Sequence, residues 1–457
     1  MRDPIGQQDK SKTRIRTELV AGVTTFLTMA YIIFANPNIL SVTGMNKEAL
    51  IAVTCIVSAV ASILVGLAAN APIAMAPGMG LNAFFAYLVV SGRMEWQTAL
   101  GAVFISGLVF LILTLVGLRK RLVEAIPESL VSAIAVGIGL FITFMGLVNL
   151  GIVVADEHTL VTAGPLTPSV LIGLFGLLVM LFFEVRRWTG GLVVGILLAT
   201  ALAAVFGRVE LPDQLVSLNL NLQAVSLKLD IWGALKWGFV GSIFTLMFID
   251  MFDSVGTLVA CCHQAGMSDR DNQIRGLDRL LGIDAIATMI GAVFGTSTTT
   301  SYIESAAGIE QGGRTGLTAV TTGLLFLLAV LFVPLIGMVP PYATAPALLM
   351  VGLFMMKEVR RIDFGDMEQA FPAFIIMVMI ALSYSISTGL AFGFVSHVVT
   401  KVVSGKAGQI KGAMWIIAVL SVAFLAIDEL PRLIDYLRNW SAAGGVADIS
   451  PAARPIN

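Results

Sequence analysis

Charge is scarce in this chain. Aspartate, glutamate, lysine and arginine make up 12% of its 457 residues, about half the share of a soluble globular protein. Acids and bases nearly cancel, leaving a net charge of −1, so no basic field invites nucleic acid. Cysteine is rarer still. Cys55, Cys261 and Cys262 lie in or beside apolar segments and two are adjacent, which argues against a disulfide framework. No Ser-His-Asp arrangement, Walker loop or zinc-protease pattern occurs, which argues against a hydrolase or an ATP-driven pump. Cys261-Cys262-His263 looks at first like a metal cluster, but adjacent side chains diverge on a helix and no second ligand pair accompanies them. The "GMG" after Pro77 is no dinucleotide fingerprint, since no strand-helix context with a later acid follows it. The sequence calls for no metal and no bound cofactor.

What the chain has in abundance is oil: 57% of residues are hydrophobic and the mean hydropathy is +0.91. Apolar segments long enough to cross a bilayer recur along almost its whole length. The fold class is therefore an all-α polytopic membrane protein. The polar, basic start "MRDPIGQQDKSKTRIRTE" leads into an apolar stretch too long for a cleaved signal, so the first helix reads as retained. Hydropathy predicts about 14 spans, two of which, near Asn82 and Glu304, are too short to cross alone. With the N-terminus inside, alternation puts 20 Lys or Arg in inner segments, Arg119, Lys120 and Arg121 among them, and five in outer ones. The positive-inside rule predicts that asymmetry. A last apolar run, Met414 to Ile427, either lies in the interface or crosses once more; Asp428, Glu429 and a polar tail follow it.

The long loop from Val209 to Asp230 divides the spans into seven and seven. An odd number per half inverts the second half, a common transporter architecture with its ligand near the midplane where broken helices meet. Faint internal similarity supports inverted repeats. "GVTTFLTMAYIIF" from Gly22 resembles "GSIFTLMFIDMFD" from Gly241, and "MAPGMGLNAFFAY" from Met75 takes the place in half one that "TTTSYIESAAGIE" from Thr298 takes in half two. The second of these belongs to a polar strip, "GTSTTTSYIESAAGIEQGGRTG", from Gly295 to Gly316, with six consecutive hydroxyl residues and one acid near its middle. Irregular backbone at membrane depth is tolerated only where protein or a watery cavity satisfies it. Free N–H groups at half-helix N-termini suit a ligand rich in acceptors. The strip therefore predicts a pocket for a small polar molecule.

Few ionisable residues lie inside the spans: Asp250, Asp253, Glu304 and, near the margin, Asp284. Such residues are functional candidates because burying them is expensive. A carboxyl out of water is disfavoured in its charged form and can carry a proton. Asp250 and Asp253 are three apart and share a helix face. Structural readings stand beside these. Ser301 and Glu304 have the spacing of a capping box, Asn82 could cap the half-helix after its "PGMG" turn, and the two aspartates could pair structurally. Glu310 and Arg314, four apart, read as an ion pair on one helix face, and His397 as a packed core residue.

The same residues carry a family likeness. "APGMGLNAFFAY", "FIDMFDSVGTLVA" and "GTSTTTSYIESAAGIEQGGRTGLTA" resemble the signature segments of the AzgA-like adenine, guanine and hypoxanthine permeases, within the nucleobase–cation symporter 2, or nucleobase/ascorbate transporter, family. The likeness runs from "AGVTTFLTMAYIIFANP" to about residue 405. It implies two inverted repeats of seven spans, with broken third and tenth spans. Residues 17–126 (spans 1–4) and 231–340 (spans 8–11) would form a core domain, and 127–208 (spans 5–7) and 341–405 (spans 12–14) a gate domain. Residues 1–16 would be a cytoplasmic N-terminal segment, 209–230 an external loop, and 406–457 the extra apolar segment and tail.

The resemblance also implies proton-driven uptake of purine bases across a bacterial inner membrane, by an elevator-like shift of core against gate, often in a homodimer, with the proton co-transported. Asn82, Asp250, Asp253 and Glu304 match the positions the family uses for substrate binding or coupling. Uracil and xanthine members differ. They carry Glu-His where this chain has Asp253-Ser254, Glu-Asn where it has Glu304-Ser305, and a Gln-His pair on the first span that is absent here. That favours a purine.

A purine presents donors and acceptors along its edge, and a site built to hydrogen-bond them discriminates strongly. The expected site has Glu304 on the base edge with backbone N–H from Ala83 or Ser305, Asp253 as a second contact, and Asp250 supporting it or carrying the proton. Phe84, Phe85 and Phe248 either stack on the ring or pack the interior. Rival readings are an anion transporter of sulfate-permease type on the same broken-helix plan, an ion channel, and a membrane receptor or scaffold. The anion reading would want a cation at the site, where this chain places acids.

Overall fold

The computed structural model describes residues 15–117, 126–156, 158–209, 212, 214–217, 220–267, 274, 276–383, 385–423 and 425–426. The basic residues before Ile15, the Arg119–Arg121 triplet, Arg270, Arg275, Asp428 and Glu429 lie outside them, as does the end of the last apolar run at Ile427. Among the described residues, eight helices are long and apolar enough to cross a membrane, and five more apolar helices are shorter.

The first half opens with α1 (Ile15–Met29) and α2 (Ile32–Ser41). These two helices make one apolar stretch that is interrupted at Ala30 and Tyr31, where the N–H groups of Ile33 and Phe34 reach back three residues instead of four. α3 (Lys47–Leu64) follows, with Asn46 as its N-cap, then a short strand β1 (Met75–Pro77), the half-helix α4 (Met79–Val90) and α5 (Trp96–Leu115). The second half repeats that order. It has α9 (Val240–Gln264), α10 (Leu277–Phe294), a short strand β4 (Thr299–Ser301), the half-helix α11 (Ser305–Glu310) and α12 (Gly316–Ala329).

Between and after them stand α6 (Glu128–Leu150), α7 (Pro168–Val185), α8 (Gly191–Val205), α13 (Pro341–Met355), α14 (Met367–Leu382) and α15 (Ile386–Val403). A hairpin of β2 (Val153–Asp156) and β3 (Leu160–Ala163), absent from the sequence reading, links α6 to α7. Backbone N–H donors from Thr159 and His158 hold the Asp156 carboxyl at its tip below the ordinary carboxylate range.

Packing sorts the helices into two groups. α1 to α5 and α9 to α12 pack on one another around the β1–β4 pair, and α6, α13, α14 and α15 form the nucleus of the other group with α7 and α8 against it. The groups touch through α2 on α13, α4 on α6 and α1 on α8.

Small residues permit the closest approaches. A Cβ on Gly316, at the start of α12, would fall on the carbonyl of Gly66, just past the end of α3. The same helix start is capped from a distance. Glu18 on α1, 2% exposed, accepts the N–H of Arg314 at 3.1 Å and of Thr315 at 3.3 Å, and the Thr318 hydroxyl. In the other group Glu368 at the start of α14 takes Lys401 at 2.7 Å from the last turn of α15 and Lys406 at 2.5 Å from just beyond it. Arg314 does not pair with Glu310 as the spacing implied. Its guanidinium caps the half-helix end by donating to the carbonyls of Ile309 and Gly313, and Glu310 accepts from Gln264 at 3.2 Å.

Gly316→Ala must push α12 away from α3, because the atom it meets is backbone. Overpacking of this kind costs about 1–3 kcal/mol. The expected result in detergent is a lower unfolding temperature and less monodisperse protein on size-exclusion chromatography than for Gly282→Ala, whose added Cβ meets open space.

Candidate functional site

The site is built on the two interruptions. β1 and β4, one from each half, pair antiparallel in the register Met75 with Ser301, Ala76 with Thr300 and Pro77 with Thr299. The short span expected near Glu304 is thus a strand, Thr299–Ser301, followed by a helix of six residues, Ser305–Glu310. The run of β-branched threonines suits extended backbone. Outside the ladder, Gly78 N–H donates to Thr298 O at 2.9 Å and Tyr302 N–H to Ala74 O at 3.0 Å. Ser62 closes the edge, accepting from Met75 N–H at 3.0 Å and donating to its carbonyl at 3.1 Å, and the Tyr302 hydroxyl donates to Pro77 O at 2.6 Å. Backbone that leaves the helix at membrane depth is satisfied within the protein.

The hydroxyl strip serves this frame more than it lines a pocket. All six hydroxyl residues from Thr296 to Ser301 are at most 3% exposed. Thr296 accepts from Asn36, Ser297 donates to Asn82, Thr300 pairs with Ser254 at 2.9 Å, and Ser301 Oγ lies 3.5 Å from Asp284 Oδ1. Thr288 of α10 bridges: its hydroxyl lies 3.0 Å from Asp250 Oδ2 and 2.9 Å from Thr299 O, and accepts from Thr299 N–H at 3.2 Å. Asp250 and Asp284 are electrostatic neighbours, both fully buried, and Asp250 Oδ1 has no hydrogen-bond partner.

Two acids face an accessible space instead. Glu304 is half-buried in the turn just before α11, with one oxygen accepting from Tyr31 at 2.8 Å. The Thr28 hydroxyl lies 3.4 Å from the Glu304 carbonyl. Asp253, in the middle of α9, is solvent-accessible and has Glu304, Tyr31, Tyr302 and Asp250 as electrostatic neighbours. An accessible carboxyl at that depth belongs in a water-filled space. Along this face of α9 the environment changes. Ser242, Thr245, Leu246 and Ile249 are buried, whereas Asp253, Gly256, Ala260 and Gln264, on the same face, are accessible.

The other candidates sit elsewhere. Asn82 is fully buried within α4, its oxygen taken by Ser297, and Gly78 rather than Asn82 holds the N-cap position. Ala83 is the fifth residue of α4, past the first turn whose N–H groups are left free. Ser305 donates its N–H to Tyr302 O at 3.1 Å, and its hydroxyl accepts from Ala74 N–H at 3.0 Å, so neither is presented to a ligand. The capping box does not form: Ser301 turns to Asp284 and Glu304 to Tyr31. Phe84 and Phe85 are buried, Phe84 stacked on Tyr87 with centroids 6.5 Å apart. Phe248, 2% exposed, stacks on Phe244 and meets Phe394 of α15 edge-on at 5.3 Å, a contact between the two helix groups.

Tyr31 and Thr288 escaped the sequence reading because neither is ionisable at neutral pH. The internal repeat held a signal, since counting from Gly22 and Gly241 sets Tyr31 opposite Asp250.

Sequence comparison assigns this architecture. A profile described as "Permease family" matches residues 16–392. The chain belongs to that family. The adenine permease AdeP of Escherichia coli (strain K12) is 42% identical over 412 residues, 90% of this chain and 92% of its own length. The guanine/hypoxanthine permease PbuG of Bacillus subtilis (strain 168) is 42% identical over 434 residues, 92% of this chain and 98% of its own. Among solved structures, the transmembrane domain of the cyanobacterial bicarbonate transporter BicA superposes with a TM-score of 0.61 at 17% identity, covering 82% of this chain and 97% of that one. Murine Slc26a9, an anion transporter in the inward-facing state, gives 0.62 at 12% identity, covering 87% of this chain and 69% of that one. Those two share the fold with this permease. The permease is a multi-pass membrane transport protein and not an enzyme.

Thr288→Val keeps the shape and removes the hydroxyl that Asp250 and both backbone groups of Thr299 share. Leaving buried polar groups without that partner costs about 1–3 kcal/mol. A drop in unfolding temperature for Thr288→Val that Thr288→Ser largely restores is the expected outcome.

Proposed function

We propose that this permease carries purine nucleobases across the cell membrane together with a proton. The observation that carries the reading is the pairing of Glu304 with Tyr31 beside an accessible Asp253, where the breaks of the first and tenth spans meet. The names of AdeP and PbuG, whose lengths this chain covers almost fully, supply the ligand class. A carboxylate oxygen accepts a ring N–H, and a protonated carboxyl can also donate, which suits an edge that alternates donors and acceptors. Glu304 contacts the base edge and Asp253 faces it. Asp250, behind Asp253 on α9 and hydrogen-bonded to Thr288, responds to the charge on Asp253 and, with it and Glu304, makes up the coupling set. A proton bound to this set and a base bound to its outer acids stabilise one another, and that reciprocal coupling lets the gradient drive uptake.

The helix grouping supports a core of residues 17–126 and 231–340 moving against a gate of 127–208 and 341–405. With the N-terminus cytoplasmic, the covered half of α9 is the outer half and the accessible half the inner, which supports an inward-open reading. The fold shared with bicarbonate and other anion transporters leaves an anion as the rival ligand. The acids at this site favour a neutral base over an anion.

The test is uptake of radiolabelled hypoxanthine, guanine and adenine into proteoliposomes with and without an inward proton gradient. Saturable, gradient-stimulated uptake that cold purine blocks and uracil or sulfate does not is the expected result. Absence of uptake of every purine by folded protein rejects the reading. Glu304→Gln removes a charged acceptor, an interaction of about 1.5–3 kcal/mol, and should weaken purine binding roughly 10- to 100-fold. The inward-open assignment predicts that Gly256→Cys, whose side chain would enter open space, reacts with a membrane-impermeant thiol reagent from the cytoplasmic side and not from outside, and that purine slows the reaction.

A further inference from the structure

The ligand-facing acid has a partner that no charge pattern marks. Tyr31 is 1% exposed and sits in the interruption between α1 and α2, and its hydroxyl lies 2.8 Å from Glu304 Oε1. The two residues are 273 positions apart, so the contact joins the break of the first span to that of the tenth. Thr28, one turn before Tyr31, reaches the backbone carbonyl of the same glutamate. A phenol at neutral pH carries its proton, so in this pair the tyrosine donates and the carboxylate accepts.

We propose that Tyr31 is a positioning residue that sets the ligand preference of the site. Together with the backbone N–H of Glu304 itself, Tyr31 fixes the plane of the carboxylate, and the acceptor capacity that remains is turned to the transported molecule. The permease then selects ligands that offer an N–H at this edge and rejects those in which that N–H is methylated. The inference rests on the purine reading above and adds a residue and a rule of selection to it.

The competing role for Tyr31 is packing alone. Its ring is among the largest fully buried side chains, and a space-filling role would be blind to the hydroxyl. Tyr31→Phe separates the two, since it keeps the ring and deletes the donor. The experiment measures the affinity of detergent-solubilised protein for hypoxanthine and for its two ring N-methyl derivatives on the six-membered ring, together with KM and maximal rate in proteoliposomes.

For Tyr31→Phe the proposal expects an affinity for hypoxanthine lower by about tenfold, the loss of one charge-assisted hydrogen bond's worth of preorganisation. The preference for hypoxanthine over the more strongly rejected methyl derivative should shrink by a similar factor, and the change should fall on KM with little on maximal rate. Tyr31→His, which restores a ring N–H donor, should recover part of the selectivity. If Tyr31→Phe does not fold, Tyr31→Met is compared with Tyr31→His in its place, because methionine also lacks a donor.

Folded Tyr31→Phe with wild-type affinity and selectivity overturns the proposal and leaves Tyr31 a packing residue. Failure of the wild-type protein to bind any purine is a different result, which strikes the functional reading beneath it.

Discussion

A peptide group inside a bilayer that leaves the helix has no water to bond, and everything at the centre of this permease follows from how that debt is met. Two segments, one from each half of the chain, leave the helix at the same depth and pair with each other as β1 and β4. Each strand supplies the other's partners. Ser62, Thr288, Ser305 and Tyr302 then take up the groups that lie at the ends of so short a ladder. The two half-helices beyond the strands are held in opposite senses because the strands are antiparallel. Glycine at 66 and 316 lets the chain just past α3 and the start of α12 meet backbone to backbone.

That frame sorts the acids into two environments. Asp250 and Asp284 face inward, among hydroxyls that belong to the frame. Asp253 and Glu304 face an accessible space, and Glu304 is oriented by a tyrosine from the opposite break. Asp250 and Asp253 lie on one helix three residues apart and are electrostatic neighbours. From there Thr288 leads to the backbone of β4. The site and the backbone of the frame are therefore joined by a short, continuous chain of contacts.

Much of this was legible in the sequence because it depends on scarcity. In so apolar a chain, Asp250, Asp253 and Glu304 stand out, and the polar strip after Gly295 marks an interruption without further help. The length and apolar character of the spans, the short segments near Asn82 and Glu304, and the family followed from the same features. What could not be read was how the polar groups pair, since pairing is set by contacts between distant segments. Ser301 and Glu304 have the spacing of a cap, yet each has a better partner across the frame. Ser305 looked available and is bonded at both its N–H and its hydroxyl. The threonines after Gly295 fit a helix or a strand equally well by hydropathy, and only a second strand from residues 75–77 decides for extended backbone. Tyr31 carries no charge, so its place opposite Asp250 in the internal repeat gave little reason to single it out.

The central claim is that the two breaks together form the ligand site, with Glu304 and Asp253 against the transported molecule. A structure of the permease determined by electron cryomicroscopy with hypoxanthine bound tests it most directly. The account predicts density for the base between Asp253 and Glu304, one ring N–H within hydrogen-bonding distance of the Glu304 oxygen that Tyr31 leaves open, and Tyr31 still on the other oxygen. Density for the base elsewhere, such as in the crevice of about 270 Å³ lined in part by Asn38, Lys47, Asn149 and Thr344 between α2, α3, α6 and α13, with Glu304 untouched, would contradict it.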